Sequence, residues 1–140
     1  MNQETDHRSQ ILVVDDDPRI GKVLHISLGI AGYDVVSTTS GAEAIEMVRA
    51  HEPDVVLLDV VMPGVNGLEA LDRLRRFSQV PVIIFTGNPE VVRIALEAGA
   101  NDAIGKPFDL DLLAGKIRLV LSARGAAEGV HGDQEQNSPC

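Results

Sequence analysis

Asp15, Asp16 and Asp17 stand in a row, Asp59 stands alone, and Thr86 and Lys106 follow further along the chain. All of them fall at or just beyond the end of a short apolar run, which gives them a common location if those runs lie side by side. Carboxylates brought close together repel one another, so a cluster of them calls for a cation. Hard oxygen donors in small number suit Mg²⁺, which keeps several of its waters and takes few protein carboxylates. A threonine hydroxyl and a lysine ammonium beside such an ion are suited to holding phosphoryl oxygens. Taken singly, each residue has a plainer use. Asp17 precedes Pro18 and reads as a helix N-cap rather than a ligand. Asp15, Asp16 and Asp59 are common turn residues, Thr86 suits a cap, and a lone lysine is usually a surface charge. The argument rests on their occurring together.

What could bring them together is the pattern of the intervening elements. Residues 11–14, 35–36, 55–58, 82–85 and, more weakly, 103–104 are apolar runs that read as strands. Several are nearly continuous in Val, Ile and Leu, as expected of strands covered on both faces of a parallel sheet. Between them, Ile20, Val23, Leu24 and Leu28 fall at helical spacing, as do Ala42, Ile45 and Val48. Leu68, Leu71 and Leu74 mark a third helix, Val91, Ala95 and Ala98 a fourth, and Leu110, Leu113, Ile117, Val120 and Leu121 a fifth. Gly32 and Gly99 stand where helices should stop. Five β–α units in alternation predict an α/β fold with a doubly wound parallel sheet and helices on both faces. In such sheets ligands gather beyond the carboxyl ends of the strands, which is where the polar residues fall.

Composition sets the outer bounds. Apolar residues make up 44% of the chain, enough to form a core and too many for a wholly disordered protein. Acidic residues outnumber basic ones by 21 to 12, a formal charge of -9 that argues against direct binding to a nucleic-acid backbone. No apolar run approaches the roughly 20 residues that span a bilayer, so membrane insertion is not expected. The single cysteine, Cys140, excludes an internal disulfide and is misplaced for prenylation, and residues 1–10 lack the apolar stretch of a signal peptide. A cytoplasmic location is the expectation. Residues 1–10 and 122–140 hold too few apolar side chains to offset ordering entropy, so they are expected as a disordered lead and a flexible tail around a folded body at 11–121.

The ordered set Ile11-Leu12-Val13-Val14-Asp15-Asp16-Asp17-Pro18, Leu57-Leu58-Asp59-Val60-Val61-Met62-Pro63, Gly67, Phe85-Thr86-Gly87 and Lys106-Pro107-Phe108 resembles the CheY-like receiver domain of two-component response regulators. The resemblance covers the whole expected body. It implies the flavodoxin-like strand order 2-1-3-4-5. It also implies that Asp59 accepts a phosphoryl group from a histidine kinase or histidine phosphotransfer protein. Asp15 and Asp16 would then organise Mg²⁺ together with Asp59 and the backbone carbonyl of Val61. Thr86 would donate its hydroxyl to the phosphoryl group, Lys106 would pair with its oxygens, and the Lys106–Pro107 bond would be cis. Such a domain takes part in its own phosphorylation and resetting without being a conventional enzyme. It would report its state to a downstream protein through the face formed by the fourth helix, fifth strand and fifth helix.

Three departures from the family pattern bear on that output. Ala103 stands where many receivers carry Tyr or Phe, Gly87 replaces a common alanine, and the stretch from Thr86 to Lys106 is about two residues short, near Asn88-Pro89. An alternative reading is therefore a degenerate receiver that docks partners without phosphorylation, against which the intact set Asp15, Asp16, Asp59, Thr86 and Lys106 speaks. An aspartate-nucleophile phosphatase would want a second aspartate where Val61 stands, and FMN binding would want a glycine-rich phosphate loop after the first strand.

Overall fold

The computed structural model describes residues 8–60 and 66–132. Five parallel strands form one sheet: β1 (Gln10–Val14), β2 (Asp34–Thr38), β3 (Val55–Asp59), β4 (Val82–Thr86) and β5 (Asp102–Gly105), in the order β2-β1-β3-β4-β5. Helices α1 (Pro18–Ile30), α2 (Gly41–His51), α3 (Gly67–Arg75), α4 (Pro89–Glu97) and α5 (Leu110–Gly132) connect and follow them. The fold class and strand order are those expected from the sequence.

Side-chain alternation along the strands divides the core into two layers. Leu12, Val14, Val56, Leu58 and Ile84 pack under α2, α3 and α4 through Ala44, Ile45, Val48, Leu71, Leu74 and Ala95. Ile11, Val13, Val55, Leu57, Ile83, Phe85 and Ile104 pack under α1 and α5 through Leu24, Leu28, Leu113 and Ile117. Burial on both faces explains why the central strands are continuously apolar over residues 11–14, 55–58 and 82–85.

Local chemistry sets the element ends. The Asp17 carboxylate accepts the Arg19 N–H at the start of α1, with Pro18 in its first turn, as the sequence suggests. Ser40, Asn66 and Asn88 cap α2, α3 and α4 in the same way. Gly32 and Gly99 follow α1 and α4 at φ of 103° and 113°, values that favour a residue without a Cβ. Arg75 ties the foot of α3 to the α4–β5 turn by donating to the carbonyls of Gly99 and Ser78 and to Asn101 Oδ1, while Asn101 Oδ1 also accepts from Val82 N–H.

Several details differ from the sequence reading. β1 begins at Gln10, whose N–H donates to Asp54 Oδ2 at 2.7 Å, so the strand takes in the last residue of the expected lead. Val23 and Ala42 face solvent, and Gly21 and Ala44 take the inward positions instead. The larger difference is at the end. A flexible tail was expected from residue 122, yet α5 continues to Gly132. Weighing burial alone missed that an established helix needs no new nucleus to propagate, and that Ala123, Arg124, Ala126, Ala127 and Glu128 have high helix propensity. The remainder of both expected ends, residues 1–7 and 133–140, lies outside the described residues.

Glu52 closes α2 in the left-handed conformation, φ 48° and ψ 62°, with its N–H donating to Val48 O. A side chain there is strained by its Cβ. Glu52→Gly is expected to raise unfolding stability by about 0.5–1 kcal/mol in urea denaturation, the relief of strain exceeding the added unfolded-state entropy.

Candidate functional site

Parallel strands place all their carboxyl ends at one edge of the sheet, and the register fixes which ends are neighbours. Val14 pairs with Leu58, Leu58 with Ile84, and Thr86 with Gly105. Asp15 therefore emerges from β1 beside Asp59 at the end of β3, and Thr86 ends β4 next to the strand that leads into Lys106. Asp15, Asp59 and Thr86 are buried, at 2%, 4% and 4% exposure, whereas Asp16 is exposed. Asp15, Asp16, Asp17, Ile20, Asp59, Thr86, Gly87 and Lys106 line a cavity of about 460 Å³.

Lys106 sits at the centre of the charges. Its Nζ donates to Asp15 Oδ2 at 3.0 Å and lies 3.3 Å from Asp59 Oδ2. Burial works against the ammonium, but the Asp15 hydrogen bond and the charges of Asp59 and Asp15 outweigh it and hold its pKa above that of a free lysine. It is therefore charged throughout the neutral range. The stabilisation it gives is full below the free-lysine pKa and is lost as pH rises through the higher folded value.

Asp15 is fixed from its other side, Oδ1 accepting the Asp17 N–H at 2.8 Å. Asp17 itself turns outward to Arg19, which donates to Oδ1 from Nε at 3.0 Å and to Oδ2 from Nη2 at 2.8 Å. Side-chain and backbone hydrogen bonds from Arg19 lower the Asp17 pKa to about 2. Asp17 thus serves as a cap, as expected, and the bidentate partner is a feature the sequence reading did not foresee. Thr86 Oγ1 accepts from Asn88 N–H at 3.2 Å, and a hydroxyl that accepts there still has its own O–H to give.

Asp15, Asp16 and Asp59 each offer a carboxylate oxygen, all within 4.8 Å of one another. That spacing, with three hard anionic donors, fits a divalent cation of the Mg²⁺ type. Val61, expected to lend its carbonyl, lies outside the described residues. The Lys106–Pro107 bond is cis, as the resemblance implies. Ala103 is partly buried against the layer under α2, α3 and α4.

The family model for the response regulator receiver domain matches residues 11–118. The chain belongs to this family. Among relatives of this receiver domain, the transcriptional regulatory protein KdpE of Mycobacterium tuberculosis is 38% identical over 120 residues, which cover 84% of this chain and 53% of KdpE. The DNA-binding response regulator MtrA of Mycolicibacterium smegmatis is 40% identical over 116 residues, 81% of this chain and 51% of MtrA. The chain thus spans about half the length of the curated relatives it matches. Among solved structures, the BeF3-activated receiver domain of Klebsiella pneumoniae RstA superposes with a TM-score of 0.77 at 34% identity, covering 81% of this chain and 98% of that one. Vibrio cholerae CheY4, a chemotaxis protein, gives 0.76 at 29% identity, covering 81% and 99%. Receiver domains are signalling domains of two-component systems, which supports a phosphorylation signalling role for the domain as a whole. Among the described residues, no helix is long and apolar enough to cross a membrane.

Two features of this receiver domain escaped the sequence reading. Gly67 had no assigned reason, yet a Cβ there would lie 2.3 Å from both the carbonyl oxygen of Asp59 and Cα of Val60. The start of α3 is therefore pressed against the backbone of the site. Phe85 enters the sequence pattern as the end of an apolar strand and as part of the Phe85-Thr86-Gly87 motif, with no role towards Lys106, yet its ring lies under the Lys106 ammonium. Strand alternation does signal that Phe85 shares a face with Asp59.

Proposed function

We propose that this domain is a phosphorylation-dependent switch in which Asp59 accepts a phosphoryl group from a phosphohistidine on a sensor kinase or phosphotransfer protein. The observation that carries the reading is the convergence of Asp15, Asp16 and Asp59 with Lys106 Nζ at 3.0 and 3.3 Å from two of them. An Asp59 carboxylate oxygen forms the new bond to phosphorus as the bond to the donor imidazole nitrogen breaks, and the imidazole leaves with the electron pair and takes up a proton. Lys106 neutralises charge on the equatorial phosphoryl oxygens, and the Thr86 hydroxyl donates to one of them. Asp15 holds Lys106 in place. Mg²⁺, held by Asp15, Asp16, Asp59 and the Val61 carbonyl, would supply positive charge to the phosphoryl oxygens. Water attack on the acyl phosphate resets the switch. A cytoplasmic address and a downstream protein docking on α4, β5 and α5 belong to the same reading, as does the absence of direct nucleic-acid contact by this domain.

The intact charge set favours this reading over a phosphorylation-independent docking module. Amide hydrogen exchange tests it. Beryllofluoride with Mg²⁺ should protect the amides of Gly87, Asn88 and Glu90, because Thr86 moves towards the phosphoryl mimic and Gly87 leaves the following backbone free to follow. Ala103 offers no ring to swing, so its surroundings should change little. Protection changes centred on residue 103 with 87–90 silent, or no response at all, would contradict it.

The carboxylate cluster also makes a prediction for the metal. Asp16→Asn is expected to weaken Mg²⁺ binding by on the order of ten-fold, since one anionic donor is lost. The same change should raise the metal-free melting temperature by about 2 °C, because it removes repulsion with Asp15 and Asp59. Calorimetric titration and thermal unfolding in chelator check both halves.

A further inference from the structure

Strand alternation sets a row of side chains on the face covered by α1 and α5. Asp15, Asp59, Phe85 and Lys106 each lie two residues beyond a core residue of that face: Val13, Leu57, Ile83 and Ile104. Asp59 and Phe85 are register partners on β3 and β4, and Phe85 is the partner of Ile104 on β5. Lys106 leaves from the far side of β4, while its carboxylate partners lie on β3 and beyond. Adjacent strands are about 4.8 Å apart, so the lysine stem must cross the whole width of β4 to reach them. The β4 side chain on that face is Phe85.

Contact follows from this layout. Lys106 Nζ lies 5.0 Å from the centroid of the Phe85 ring. Phe108, two residues after Lys106, meets Phe85 in a T-shaped arrangement, centroids 5.7 Å apart and planes at 71°. The Phe85 ring is 1% exposed and has little freedom to turn away. Leucine or isoleucine would fill the same core volume. Only a ring adds a negative face that attracts an ammonium, in a location where burial otherwise disfavours the charge.

We propose that Phe85 is a positioning residue for the phosphoryl-transfer site, its ring seating the Lys106 ammonium between Asp15 and Asp59 while Phe108 braces the ring. This rests on the proposed function of Asp59. The seat keeps the ammonium poised over the sheet edge when the carboxylates turn to metal and phosphoryl group, so the lysine need not be recruited from solvent.

The test replaces Phe85 in the full chain with phenylalanines carrying one, two and three ring fluorines, which keep the shape and progressively weaken the negative face. The rate of phosphoryl uptake from acetyl phosphate with Mg²⁺ should fall stepwise, to about a third of the parent rate at three fluorines, with little change in melting temperature. An even rate across the series would overturn the proposal. A second measurement does not depend on phosphorylation. In the unmodified protein the ε-methylene protons of Lys106 should resonate upfield from ring-current shielding, and Phe85→Leu should return them towards free-lysine positions. Lysine resonances at free positions in the parent would likewise overturn the seat. If the parent takes up no phosphoryl group, the proposed function fails while these resonances still decide the role of Phe85.

Discussion

Lys106→Ala is expected to cut phosphoryl uptake from acetyl phosphate by roughly a hundred-fold, the scale seen when one preorganised donor to a developing oxyanion is removed. The geometry adds two further effects of opposite sign. Lys106 Nζ occupies oxygens of Asp15 and Asp59, the same carboxylates that would hold a metal. Removing the ammonium therefore removes a competitor and should tighten Mg²⁺ binding. Without metal, two buried carboxylates would face one another with their shared cation gone. The cost of breaking a buried pair is discounted here because the lysine side chain is 31% exposed, leaving an expected loss of about 2 kcal/mol. Mg²⁺ should then raise the melting temperature of the variant more than that of the parent. Parent-like uptake in the variant would remove the lysine from the chemistry. A weaker affinity for Mg²⁺ would mean that the ammonium and the metal do not compete.

Among the glycines whose surroundings are described, Gly67 should cost the most stability on substitution by alanine. The new Cβ would meet Asp59 O and Val60 Cα at 2.3 Å and the Asp59 carbonyl carbon at 2.9 Å. All three are backbone atoms, so no side chain can rotate to make room. Gly67 N–H also donates to Val60 O at 3.2 Å, which ties the start of α3 to the end of β3. Either the helix start moves away and loses that bond, or the Asp59 backbone shifts. A loss of about 3 kcal/mol in urea denaturation is expected, at the upper end for overpacking. Because the strain falls on Asp59 itself, Mg²⁺ affinity should decline as well. A variant within about 0.5 kcal/mol of the parent would show that the close approach is readily relaxed.

The fold was legible because its rules are local or periodic. Apolar runs gave the strands, the Asp17–Pro18 pair gave a helix start, and Gly32 and Gly99 gave two helix ends. The grouping of the candidate residues followed from the fold, since parallel strands carry Asp15, Asp59, Thr86 and the chain before Lys106 to one edge, while their register comes from the structure. What escaped depends on side-chain direction or on distant neighbours. Val23 carries helical spacing in α1 but stands one position off the buried stripe of Gly21, Leu24 and Leu28. The ring beneath Lys106 belongs to a residue far back in sequence, and only the reach of the lysine across β4 brings them together. Glu52 accepts a left-handed conformation that no sequence rule assigns to glutamate. The extension of α5 to Gly132 reflects helix propensity, which a criterion of burial does not see.

Phosphoryl transfer to Asp59 is the claim on which the rest depends, and intact-mass spectrometry addresses it directly. After incubation with acetyl phosphate and Mg²⁺, the protein should gain the mass of a single phosphoryl group. The adduct should be absent when chelator replaces Mg²⁺ and absent in Asp59→Ala. Neutral hydroxylamine, which cleaves acyl phosphates, should remove it. An adduct that persists in Asp59→Ala, or an intact parent that gains none, would contradict the account.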